Sequence, residues 1–90
     1  MPKKLEHAST QPIRVAAKLV SLIDSVPWPI TLFVTVKDGV TLIPHTFRPN
    51  EPEVDRLRKN RRYYEVGTFD KNVPETVLIE CLAEAWSELR

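Results

Sequence analysis

Few side chains in this sequence are of types that do chemistry, and their spacing argues against a reaction centre. The one cysteine, Cys81, lies in "ETVLIECLAEAW" beside an apolar stripe, with no preceding strand and glycine turn to expose a nucleophile. It reads as a core thiol. His45 stands in "TLIPHTF" and His7 in a polar N-terminal stretch, so the two histidines and the cysteine form no metal-ligand spacing. General-base duty needs a partner within hydrogen-bond reach, and the sequence nominates none for His45. Two glycines, Gly39 and Gly67, cannot make a phosphate-cradling loop. Glu80 and Glu84 sit one turn apart, yet two carboxylates on one exposed helix face imply no pocket. The expectation is a protein with no catalytic residue, no metal and no cofactor.

Binding is better represented. "RLRKNRRYYEV" places Arg56, Arg58, Lys59, Arg61 and Arg62 within seven residues and runs into Tyr63 and Tyr64. Arginines beside aromatic rings are the means by which proteins hold unpaired nucleic-acid bases and their phosphates. Part of the cluster has a local cause: Glu51, Glu53 and Asp55 before Arg56, Arg58 and Lys59 is the charge order a helix dipole favours, and Asp55 to Lys59 is a stabilising i, i+4 pair. Between residues 48 and 62 there are six basic and three acidic side chains, a surplus of three. A tight nucleic-acid binder neutralises roughly six to ten phosphates. From 70 to 90 the balance reverses to five acids and two bases, with Glu80 and Glu84 foremost. Arg56, Arg58, Lys59, Arg61, Arg62, Tyr63, Glu80 and Glu84 are therefore the candidate partner-binding residues.

The totals set the class. Ninety residues with 42% hydrophobic and 28% charged side chains suit one small globular domain with a thin core. A net charge of +1 provides no global attraction to nucleic acid or anionic membrane. The longest apolar-rich stretch, 13–26, carries Arg14, Lys18 and Asp24 and is too short to span a bilayer. A single cysteine and the absence of an apolar signal core after "MPKK" point to a reducing cytoplasm.

The elements that would position these residues follow from periodicity. Residues 1–11 read as a disordered tail, and 12–90 as a single α+β domain. From Pro12, Arg14, Lys18, Ser21 and Ser25 form one narrow polar stripe in an otherwise apolar helix, which must be covered on two sides until "VPWPI" stops it. Trp28 is placed as a lid on the core. A β-hairpin over 30–47 turns at Asp38-Gly39, and a two-residue loop would pair Val36 with Thr41, Leu32 with His45 and Ile30 with Phe47. That register puts Ile43, His45 and Phe47 on the core face and Pro44 opposite Phe33. A third strand over 62–69, with a bulge at Gly67, is expected beside the second strand, so that the sheet runs in chain order. "NEPE" at 50–53 and "NVPE" at 72–75 read as capped helix starts for a short helix over 51–59 and a long one over 73–89. The long helix turns Leu78, Leu82, Ala85, Trp86 and Leu89 inward and packs on one face of the sheet.

The sequence of helix, three strands and helix is similar, in topology alone, to the double-stranded RNA-binding domain. That family opens its last helix with a lysine-rich phosphate clamp where this chain has "NVPETVLIE", so membership is not inferred. The favoured expectation is a non-enzymatic protein-binding module, a regulator or inhibitor acting through opposed charged surfaces and self-association as a homodimer. The alternative is a nucleic-acid-binding protein using 56–64. No membrane and no small-molecule substrate is expected.

Overall fold

The computed structural model describes residues 3–89, with 3–9 described as backbone only. The fold is α+β: α1 (Lys3–Ser21), β1 (Ile30–Lys37), β2 (Thr41–Phe47), α2 (Pro52–Arg58), β3 (Tyr64–Phe69) and α3 (Glu75–Leu89). The strands form one antiparallel sheet in the order β2-β1-β3. This corrects the expected chain-order sheet. The physical reason lies in β1, where Ile30, Thr31, Leu32, Phe33 and Val34 are all buried, a pattern only a central strand covered on both faces can satisfy. β2 carries Pro44, which has no amide to donate and belongs on an edge.

Two cores result. On one face α1 and α3 lie side by side over Leu32, Val34, Leu42 and Phe69, contributing Val15, Ala16, Leu19, Leu78, Leu82, Ala85 and Trp86. On the other, the short α2 sets Val54 and Leu57 against Phe33, with Phe47 and Tyr63 at the margin. Phe33 and Phe47 meet edge to face, centroids 6.0 Å apart. Thr31, also on the α2 side, shares a 2.9 Å hydrogen bond with Thr68 of β3.

The hairpin register differs from expectation by one residue. Asp38 and Gly39 do take positive φ angles, 56° and 74°, but Val40 joins the loop, so Lys37 pairs with Thr41, Val34 with Pro44 and Phe33 with His45. A one-residue slip exchanges the faces of a strand. Leu42 therefore enters the main core, fully buried, while Ile43, His45 and Phe47 turn to the α2 side. The register is held from outside the hairpin. Gln11 Oε1 accepts the Leu42 amide at 2.9 Å, and Arg14 Nη2 donates to the Leu42 carbonyl at 2.6 Å and to Gln11 Oε1 at 3.1 Å. Leu42 thus directs its backbone away from β1, and by alternation so do Pro44 and Thr46. The outer edge of β2 is closed by two side chains of α1 and a proline, a guard against edge-to-edge pairing.

The tether also bears on the N-terminus. α1 begins at Lys3 and runs through Pro12, so residues 3–11, expected as a disordered tail, are helical. Lys, Leu, Glu, Ala and Gln are good helix formers. Pro12 removes one ladder bond but is itself fully buried. Residues 1–2 and the His7 side chain lie outside the description. The far end of α1 stops at Ser21, short of the prolines. Ser21 Oγ donates to the Lys18 carbonyl, and 22–26 continue as turns; Trp28 Nε1 donates to the Ile23 carbonyl at 2.7 Å while its ring packs on the core, as expected of a lid. The polar stripe is exposed as expected, and α1 is covered from two directions, by α3 and by β2, although Ile13 within it stays 48% exposed. The Trp28–Pro29 peptide bond is cis.

Both "N-x-P-E" segments start helices, by a different device from a side-chain cap. Asn50 and Asn72 each occupy the third position of a tight turn, closed by Glu51 N–H to Arg48 C=O at 3.0 Å and by Val73 N–H to Asp70 C=O at 3.1 Å. α2 then begins at Pro52, after Glu51, which makes no side-chain cap bond; α3 begins at Glu75, two residues later than expected. Gly67, with φ 152°, does sit at a bulge in β3, between the pairs Leu32–Gly67 and Phe33–Glu65. α3 buries Leu78, Leu82, Ala85 and Trp86 as its periodicity predicts.

Leu42→Ala is expected to cost about 2–5 kcal/mol in urea unfolding and Ile43→Ala distinctly less, because only the first empties a fully enclosed site. Equal losses would contradict the register. Gln11→Ala is expected to cost about 1 kcal/mol in the same assay, since it strands the Leu42 amide.

Candidate binding face on the open side of the sheet

The basic segment divides into a part held by the fold and a part left free. α2 is short because Asn60 follows it: the Asn60 carbonyl accepts the Tyr63 amide and its side chain the Arg62 amide, each at 3.0 Å, making a turn of 60–63. Arg61 and Arg62 therefore lie in a loop, and β3 starts at Tyr64 and not at 62. Arg56 pairs with Glu53 one turn back in α2. Arg58 grips Glu65 of β3 with two nearly parallel bonds, Nε to Oε1 at 2.8 Å and Nη2 to Oε2 at 2.9 Å, and meets Asp55 at 3.5 Å. The expected Asp55–Lys59 pair is not formed, as Asp55 turns to Arg58 instead. Glu65, opposite Phe33 in the sheet, can reach Arg58 only because α2 covers that same face.

Among the described residues Lys37, Arg48, Lys59, Arg61 and Arg62 make no ion pair. Two of them converge. Beyond the end of α2, a groove of 440 Å³ opens toward the hairpin, lined by Thr35, Val36, Lys37, Ile43, Arg62 and Tyr63. Its floor is the α2-side surface of β1 and β2, which α2 is too short to cover. His45 stands next to it, edge-on to Tyr63 with centroids 5.1 Å apart, and shares a 3.0 Å hydrogen bond with Thr35 Oγ1. Burial holds the His45 pKa below 6.5, so its ring is neutral at pH 7 and the groove's charge comes from Lys37 and Arg62.

The acidic candidates lie elsewhere. Glu80 and Glu84 are exposed on α3, across the sheet from α2. Their field is felt by their neighbours: burial first, then Glu84 and Glu80, pushes the Cys81 thiol up, and burial followed by Glu84 and Glu88 pushes Tyr64 up. A thiol displaced that way is the reverse of an activated thiolate. Of the two tyrosines, Tyr64 packs into the helix-side core and only Tyr63 reaches the basic groove.

Thus Arg62 and Tyr63 are brought together, exposed Lys59 and Arg61 precede them in the chain outside the groove lining, and Arg56 and Arg58 are occupied by carboxylates. Lys37 and Thr35 did not stand out in the sequence, because the two-residue register separates them from His45. A cross-strand pairing of Phe33 with His45 would have placed all three on one face. Among the described residues no group of three His, Cys, Asp or Glu side chains could hold a metal ion, and no helix is long and apolar enough to cross a membrane.

Two acid-sensitive contributions to stability follow. Glu65 is held below its ordinary 4.5 chiefly by the hydrogen bond from Arg58. Its contribution is complete above pH 4.5 and lost as pH falls through the lower folded value. His45, also lowered, resists protonation in the fold, so its contribution is complete above 6.5 and declines as pH falls below that. Urea unfolding across acid pH should show the early decline removed by His45→Gln and the later one by Glu65→Gln. Comparison with known proteins returned no match for this chain, whether to a family model, a curated protein or a solved structure.

Proposed function

We propose that this protein is a small binding module, and not an enzyme, that holds an acidic segment of a partner protein against the uncovered end of its sheet. A role as regulator or inhibitor would suit such a module. The observation that carries this reading is the groove that Lys37 and Arg62 both line, with no acid among its described lining residues. Unpaired, exposed Lys59 and Arg61, within three residues of Arg62 in the chain, add to the local positive charge. Glu80 and Glu84, on the opposite side, repel the same partner and so orient its approach. Self-association through charge would have one copy's α3 meet the next copy's groove. Because the two surfaces lie across the sheet from each other, that contact is head-to-tail and does not close as a twofold dimer.

Nucleic-acid binding is the second reading, favoured by the Tyr63 and His45 rings beside two cations. It has fewer cations to call on than the raw count suggests, since Arg56 and Arg58 are engaged within the chain.

Fluorescence anisotropy with a labelled oligoglutamate peptide and a labelled single-stranded oligonucleotide, at rising salt, separates the two. Lys37→Glu and Arg62→Glu should each weaken peptide binding about fivefold, the scale of an exposed charge pair. Glu80→Lys with Glu84→Lys should not weaken it. Preference for the oligonucleotide would establish the second reading, and indifference to both reversals would remove the groove from either.

A further inference from the structure

A larger cleft lies at the opposite end of β1 from the basic groove. Its volume is 610 Å³, and it is lined by Pro27, Trp28, Pro29, Arg48, Pro49 and Asn50, where the chain entering β1 meets the chain leaving β2. Three of its walls are proline rings, whose φ is fixed, and the fourth is an indole pinned by its Nε1–H bond to the Ile23 carbonyl. Arg48, Pro49 and Asn50 are held by the turn that Glu51 N–H closes on Arg48 C=O at 3.0 Å. Little ordering is left to be done on binding, which favours affinity.

The geometry points to this cleft as a docking site for a proline-rich segment of another protein that carries a carboxylate beside its prolines. A polyproline II segment makes no internal hydrogen bonds and presents flat rings and unpaired carbonyls. Grooves walled by aromatic side chains recognise such segments. The half-buried Trp28 face and its flanking prolines match the rings, and the Asn50 amide can donate to a carbonyl. Arg48 is exposed, makes no ion pair among the described residues, and stands in a lining without an acid, so the complementary charge on the ligand is negative. Trp28 cannot act as the donor usual for an indole in such a groove, because its N–H is already committed to Ile23.

The test is a titration of the whole protein with acetyl-Pro-Pro-Glu-Pro-Pro-amide, followed by amide and indole NMR. The Trp28 indole and the Arg48 and Asn50 amides should shift and saturate, while the Trp86 indole stays in place. Arg48→Glu, at an exposed position that leaves the fold intact, should weaken the interaction about fivefold, the scale of an exposed charge pair. The same peptide with Lys for Glu, or with Ala for each Pro, should fail to saturate. The proposal is overturned if Trp28 does not shift or Arg48→Glu has no effect. It is equally overturned if the lysine or alanine peptide, or benzoate alone, matches the acidic proline peptide.

Discussion

Everything else in this fold is arranged around a central strand that is buried on both faces. Five consecutive residues of β1, from Ile30 to Val34, are removed from water. A strand of that kind needs hydrogen-bonded neighbours on both edges and apolar cover above and below. Supplying them in 90 residues takes all the secondary structure available: β2 and β3 at the edges, α1 and α3 over one face, and α2 over what it can reach of the other. Because α2 has only seven residues, its cover ends near Phe33, and the surface beyond it stays open. The candidate binding groove is that uncovered remainder.

The second constraint is the tether between α1 and β2. Gln11 and Arg14 satisfy the outward amide and carbonyl of Leu42, closing an edge that would otherwise invite another strand. The same contact selects which residues of β2 face which core. With Leu42 inward, Ile43, His45 and Phe47 must lie on the α2 side, and His45 comes to rest against Thr35 and Tyr63. A histidine that would be a core residue in the neighbouring register comes to stand beside an open groove, against its lining residues Thr35 and Tyr63.

Charge is redistributed by the same packing. The basic run looks like one feature in the sequence, but Arg58 belongs with Glu65 across the α2–β3 contact and Arg56 with Glu53 inside the helix. Lys37 and Arg62 are left for a partner at the groove, Lys59 and Arg61 are unpaired in the adjoining chain, and Glu80 and Glu84 lie across the sheet on α3. Charge is not sorted strictly by side, since exposed Arg14 and Lys18 lie on α1 beside α3, and Glu53 and Asp55 lie on α2.

The sequence by itself determined the element types and nearly all their positions, since period-2 and period-3.6 patterns, Asp38-Gly39, Gly67 and the paired "N-x-P-E" turns act over a few residues. The inward face of α3, from Leu78 to Trp86, was legible for the same reason. Only the tertiary structure decided the strand order, the hairpin register, the helical start of α1 ahead of Pro12 and the fate of each arginine. Those depend on contacts between residues far apart in the chain, such as Gln11 with Leu42 or Arg58 with Glu65. A single residue added to the hairpin loop, Val40, was enough to exchange the faces of β2. No local propensity distinguishes the two registers, because the difference lies in what α1 and α2 bring to each side of the strand.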